Sequence, residues 1–283
     1  MKFITAIYNG LHHTEYGGRL NRDGHYLYSI RCLANMGAEI ICYTSSADRA
    51  SIQEYLDKHK IKNVVLREYG LEDMPYHRQI REIKRINKNL YDQDNVWAHR
   101  CVELMWLKII WLYQESQRFP DEKIVWIDAG ISHGGIIPKK FNSKVNESGY
   151  ENTFQHDKAF NDKLVAKLDK STEDKIFTFY CNNRQHNYPE LFLNDPRLPG
   201  SVCAGVFGGK SEQIQQLYTD FVEIIDYIIE NNTLMQEEMM MTLIYQARPE
   251  LFNTFDFDTW YHPDWDCFNP ELKSFSEFFE DLL

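Results

Sequence analysis

Lys123-Ile124-Val125-Trp126-Ile127-Asp128-Ala129-Gly130 sets a run of four apolar residues against an acid and two small residues. The run from Ile124 to Ile127 predicts a short buried strand, with Asp128 at its carboxyl end. In open α/β sheets ligands bind at that edge. An unpaired carboxylate is costly to bury, so an acid there needs a partner, water or a ligand. Gly130 lets the backbone turn and lets a ligand come close. Two readings stay open on these residues alone: a polar strand end that caps a turn, or the floor of a binding site.

Working outward, Lys2 to Tyr8 predicts a first buried strand that ends in the turn signal Asn9-Gly10. Glu39 to Thr44 predicts a second strand, and Val64-Val65-Leu66 lies in a third. Helices are expected from about Asp23 to Met36, with Gly37 as the stop, and from Ala47 to Lys58. Strands alternating with helices predict an α/β fold with a mixed, mostly parallel, doubly wound sheet. Val96 to Gln117 is a helix apolar almost all round, hence buried, that leads through Phe119-Pro120 into the Ile124 strand. Its polar exceptions are His99, Arg100, Glu103 and Lys108.

Beyond Gly130 the chain is less regular. A helix is expected from Lys158 to Leu168, a strand from Lys175 to Tyr180, and a proline-bearing irregular stretch from Asn182 to Gly200. Val202 to Phe207 predicts a strand opening onto Gly208-Gly209, followed by a helix from about Glu212 to Ile229. Thr233-Leu-Met-Gln236 fits a capping box for a last helix that ends near Tyr245. No linker separates two domains, so residues 1–283 are expected as one domain. Within it, residues 1–130 and 131–283 divide the labour.

Composition narrows the function classes. With 43% hydrophobic and 14% aromatic residues in 283, a sizeable core is expected. A net charge of −11 argues against a nonspecific grip on nucleic acid or anionic lipid. A few local cations still suffice for a phosphate-bearing small molecule. The six cysteines are scattered without a C-x-x-C pair or zinc spacing, which points to a reduced, cytoplasmic setting. Met1 to Tyr8 turns polar too soon for a signal peptide, and no apolar run approaches the about 20 residues of a membrane span. At most a peripheral membrane association is expected, and the charge of the acidic, aromatic stretch Phe275 to Leu283 disfavours an anionic bilayer.

Five blocks in order carry a resemblance. They are Phe3-Ile-Thr5-Ala6; His99-Arg100-Cys-Val-Glu103-Leu-Met-Trp106-Leu-Lys108; Trp126-Ile-Asp128-Ala-Gly130-Ile-Ser-His133; Ala204-Gly-Val-Phe-Gly-Gly209; and Gln236-Glu237-Glu238-Met239, with Trp260 closing the set. Together they resemble a bacterial glycosyltransferase of the GT-A fold, of the WlaTC/HtrL type. The resemblance implies a GT-A-like, Rossmann-like nucleotide-binding sheet flanked by helices. Residues 1–130 would be its nucleotide-sugar-binding half and 131–283 its acceptor-binding half. It further implies transfer of a hexose, galactose favoured, from a UDP-sugar to an oligosaccharide or lipid-linked glycan. Lipooligosaccharide or surface polysaccharide synthesis is the implied setting.

The resemblance also assigns residues. Thr5, Ala6 and Tyr8 at the end of the first strand would lie at the base and ribose, with Tyr43 either stacking on the base or packing in the core. Arg100 and Lys108 would meet the diphosphate or donor sugar, the alternative being an internal ion pair with Glu103 or Asp128. Asp128, Ala129 and Gly130 complete the donor side; Gly205, Phe207, Gly208 and Gly209 would face the acceptor. Of the two acids after Gln236, Glu238 is the expected catalytic group with Glu237 in support. Adjacent helical residues point about 100° apart, so at most one of the two is expected to face the site.

GT-A enzymes usually hold Mn²⁺ or Mg²⁺ on an Asp-x-Asp motif, and Asp128-Ala129-Gly130 departs from it by keeping one carboxylate. The implied metal site is Asp128 with His262 as second ligand. The other role open to Asp128 is holding ribose or donor-sugar hydroxyls while cations meet the diphosphate. Two other functions use the same fold. A nucleotidyltransferase or donor hydrolase is poorly matched, because Tyr8-Asn9-Gly10-Leu11 is not the Gly-rich basic loop such enzymes carry after the first strand. A noncatalytic nucleotide-sugar or glycan-binding module would explain the missing second acid.

Overall fold

The apolar runs pair edge to edge. A computed structural model describes residues 1–8, 23–34, 37–86, 102–129, 158–181, 186–187, 197–198 and 200–257. Among them β1 (Lys2–Ile7), β2 (Glu39–Thr44), β3 (Val64–Glu68) and β4 (Lys123–Ile127) run parallel. Next to β4 lies β8 (Ser201–Lys210), antiparallel, then β5 (Ile176–Cys181) and β9 (Phe252–Phe257), parallel to each other. The order of the seven-stranded sheet is β3-β2-β1-β4-β8-β5-β9. The short strands β6 (His186–Asn187) and β7 (Arg197–Leu198) form a separate pair. The protein is thus a mixed, mostly parallel α/β sheet flanked by helices, and the β4–β8 pairing stitches residues 1–130 to those that follow.

Alternation along each strand sends neighbouring side chains to opposite faces. Ile4, Ile41, Tyr43, Ile124 and Trp126 join one core with α4 (Val102–Arg118), α6 (Ser211–Glu230) and α7 (Glu237–Ala247). Ile7, Cys42, Leu66 and Ala129 join the other, under α1 (Asp23–Ala34) and α2 (Ser46–Lys58). α3 (His77–Ile86) covers the first core with Ile80 and Ile83, and α5 (Lys158–Ser171) precedes β5. α4 deserves its apolar sequence: Trp106, Leu107, Ile109, Ile110, Trp111 and Leu112 are all buried. No helix among the described residues is long and apolar enough to cross a membrane.

One local expectation changes. Thr233 does not cap the last helix: its N–H closes the turn after α6 on Ile228 O at 3.0 Å, and Gln236 is the N-cap of α7 without a side-chain cap bond. After the turn Pro249–Leu251 the chain enters β9. Asp256 sits in β9 opposite Tyr180, while Asp258, Trp260 and His262 lie outside the described residues.

Candidate active site

β4 delivers Asp128 to the carboxyl edge of the parallel strands, where antiparallel β8 begins. The Asp128 N–H donates to Gly205 O at 2.8 Å, so the backbone continues the ladder one step past the strand. Trp126 and Asp128 share a face by their spacing of two. The Trp126 indole Nε1 accordingly donates to Asp128 Oδ1 at 2.7 Å.

The same face of the sheet carries α4, from which Lys108 reaches the acid. Its Nζ lies 3.0 Å from Asp128 Oδ1 and 3.2 Å from Oδ2. It also lies 2.9 Å from Glu237 Oε1 on α7 and donates to Ala204 O on β8 at 3.2 Å. One ammonium thereby joins four elements. The side chains are unevenly exposed: 14% for Lys108, 35% for Asp128 and 4% for Glu237. Asp128 is the member most open to solvent.

Both acids of α7 turn inward, against the expectation that at most one would. Glu237 takes Lys108, and Glu238 Oε1 accepts the Ala204 N–H at 3.3 Å. The first turn of α7 is fixed on three sides. Trp106 Nε1 donates to Met235 O at 2.8 Å, Thr242 Oγ1 donates to Glu238 O at 2.6 Å, and Val202 N–H donates to Thr242 Oγ1 at 2.9 Å. A helix start set against a strand edge leaves adjacent positions facing protein on two sides. The position also suits carboxylates, since the helix dipole is positive there. Burial raises the Glu237 carboxyl above its ordinary value; the Lys108 ammonium opposes the shift, while Glu238 and Asp128 reinforce it. Its Oε2 is buried and has no hydrogen-bond partner among the described residues.

Several expected contacts are corrected. Tyr43 is 1% exposed, and its ring stacks on Trp111 at 4.6 Å with its hydroxyl on Glu115 Oε1 at 2.5 Å. It is a core aromatic with no open face for a base. Tyr8 belongs to the same column, 5.9 Å from Trp111, and its hydroxyl donates to Tyr69 O at 2.8 Å. Thr5 is buried too, and Ala6 packs half-buried against the core. The Thr5 Oγ1 is buried without a hydrogen-bond partner among the described residues.

The acceptor-side glycines divide. Gly205 lies beside Asp128, but β8 runs antiparallel, so Gly208 and Gly209 pair with Val125 and Ile124, away from the site. A Cβ at Gly208 would stand 2.3 Å from Ile124 O, and one at Gly209 2.7 Å from Gln213 Oε1. Close strand and side-chain packing explains both. Phe207 is fully buried and faces no acceptor. Ala129 is buried against the α1–α2 core. Arg100, Gly130 and His262 lie outside the described residues.

Glu103 pairs with Lys84 at 2.6 Å rather than with Lys108, whose internal partners are Asp128 and Glu237. The Trp126–Asp128 bond is absent from the sequence expectations, although a spacing of two is a signal that could have found it; the Lys108–Glu237 pair has no local signal.

The described residues do not fit a divalent metal on Asp128. Both its oxygens are engaged, one by an indole N–H and both by an ammonium, which a metal at carboxylate distance would have to displace or face. No group of three or more His, Cys, Asp or Glu among the described residues is arranged to hold a metal ion.

No protein-family model and no curated protein matches the chain. Among solved structures it is similar to the 4-diphosphocytidyl-2C-methyl-D-erythritol synthase of Anaerococcus prevotii. The TM-score is 0.42 at 9% identity, over 92% of this chain and 88% of that one.

Proposed function

We propose that this chain is a glycosyltransferase of the GT-A type that moves a hexose from a nucleotide-sugar, UDP-linked and galactose by preference, to a glycan acceptor. One observation carries the reading. An acid at the carboxyl edge of a parallel sheet and a glutamate pair from a separate helix converge across the start of β8, around Ala204 and Gly205. Lys108, Asp128, Ala204, Gly205, Glu237 and Glu238, which come from four of the sequence blocks that resemble the WlaTC/HtrL type, lie within this convergence.

In this reading Asp128 receives hydroxyls of the donor, its carboxylate held in orientation by Trp126 and Lys108. The acceptor hydroxyl approaches past Gly205. Its oxygen forms the new bond to the anomeric carbon as the bond from that carbon to the diphosphate oxygen breaks, and UDP departs. The hydroxyl proton passes to Glu238, whose Oε1 also accepts the Ala204 N–H. Positioned proton transfer of this kind contributes about 10²–10⁴-fold to rate.

A second reading keeps nucleotide-sugar binding without turnover. The observation in its favour is that the Lys108 ammonium is engaged by protein acceptors from three directions, as in a purely structural ion pair.

UDP release from a panel of UDP-sugars, with and without glycan acceptors, separates the two. Acceptor-dependent release that falls by about 10²-fold or more in Glu238→Gln, with an unchanged far-ultraviolet spectrum, supports transfer. Saturable donor binding without release supports the binding module. Release of pyrophosphate from a nucleoside triphosphate and a sugar phosphate would instead make the chain a nucleotidyltransferase.

A further inference from the structure

We infer that Lys108 occupies the cation position of this site, so that donor nucleotide binds without a divalent metal on Asp128. The metal-free part rests on geometry alone; the nucleotide part rests on the function proposed above.

An ammonium has three N–H donors and no acceptor. At Lys108 they meet acceptors from three different elements: the Asp128 carboxylate after β4, Glu237 Oε1 on α7 and Ala204 O on β8. That is the arrangement a bound cation makes, with ligands drawn from separate elements around a point charge. Here the charge is covalently anchored to α4, whose neighbouring Leu107, Trp111 and Leu112 are buried. The Lys108 side chain is 14% exposed.

A divalent ion bound to Asp128 would sit at about 2.0–2.6 Å from a carboxylate oxygen. Lys108 Nζ already stands 3.0 and 3.2 Å from the two oxygens. Metal and ammonium would then be like charges in contact. Moving Lys108 aside would strip Glu237 of its ion pair and leave Ala204 O short of a donor. Moving Asp128 would leave the Trp126 N–H, a donor with no alternative role, unpaired in a buried ring. The Trp126 ring also lies 5.8 Å from Lys108 Nζ, face to charge, which favours the ammonium where it is. The lone acid of Asp128-Ala129-Gly130 agrees with this: a site that keeps its own cation has no use for a second carboxylate on the strand.

Two measurements on the full chain test it. The first titrates Mn²⁺ into the protein and follows the free aqueous ion by electron paramagnetic resonance, for wild type and Asp128→Asn. The same free signal in both supports the inference; one Mn²⁺ taken up by wild type and lost in Asp128→Asn overturns it. The second measures UDP affinity of wild type by calorimetry in EDTA and in Mn²⁺. Dissociation constants within twofold support it, and a gain of tenfold or more in Mn²⁺ overturns it. Should Asp128→Asn fail to fold, the wild-type comparison decides alone. Should UDP not bind under either condition, the proposed function falls while the Mn²⁺ titration still judges the cation.

Discussion

Replacing Lys108 by Met keeps an unbranched stem of similar length and deletes the ammonium. Asp128, 35% exposed, retains its bond from Trp126 and turns to water. Glu237, 4% exposed, loses the ion pair on Oε1 while Oε2 has no hydrogen-bond partner among the described residues. Stranding a buried carboxylate in this way costs about 3–5 kcal/mol. Glu237 has a way out, because it can take a proton. Its carboxyl is already raised by burial, and deletion of Lys108 removes the influence that opposes the shift.

The sign follows. A carboxyl raised by folding adds stability that is complete below its unfolded value of about 4.3 and is lost as pH rises through the folded value. The variant's folded value is higher than the parent's, so its extra loss accrues on the alkaline side, by at most about 1.4 kcal/mol per pH unit for one proton. Urea unfolding at pH 5 and pH 8 reads it directly. Lys108→Met should lie about 3 kcal/mol below wild type at pH 8, with the gap narrower by about 1 kcal/mol or more at pH 5. A gap that is equal at both pH values, or wider at pH 5, refutes the assignment of Lys108 as the partner of a buried Glu237.

Glu115 is fully buried and holds Arg67 at 2.9 Å, Arg118, and the Tyr43 hydroxyl. Glu115→Ala should cost about 3–5 kcal/mol in urea unfolding and Tyr43→Phe about 1 kcal/mol, less than additively together. Tyr43→Phe should also leave UDP affinity within twofold, since the ring is core; a tenfold loss would return Tyr43 to the donor site. At Gly208 a methyl meets the backbone oxygen of Ile124 at 2.3 Å, so Gly208→Ala should destabilise by about 1–3 kcal/mol, read as a lower urea midpoint. A neutral result there would reopen Gly208 as an open, acceptor-facing position.

The apolar runs at Lys2, Glu39 and Ile124 announced strands because their surroundings are uniform: a strand buried on both faces needs no partner to be recognised. Asp128 stood out for a related reason, as a charge where a hydrophobic run stops. α3 and β9 were missed because their cues are thin. In α3 only Ile80 and Ile83 are buried, and β9 follows Pro249 with polar residues between its aromatics.

What local sequence established, then, is a set of strands and helices with an acid at one strand's end, because burial periodicity and turn chemistry are short-range. Strand direction is not short-range. Only the pairing of β8 antiparallel to β4 sent Gly208 and Gly209 to the far end of the strand and left Ala204 and Gly205 beside Asp128. Only the packing of α4 and α7 on that edge gave Lys108 its second carboxylate and turned both glutamates inward. An ammonium takes whatever acceptors the assembled core brings within about 3 Å, and those come from segments whose separation along the chain says nothing of their separation in space.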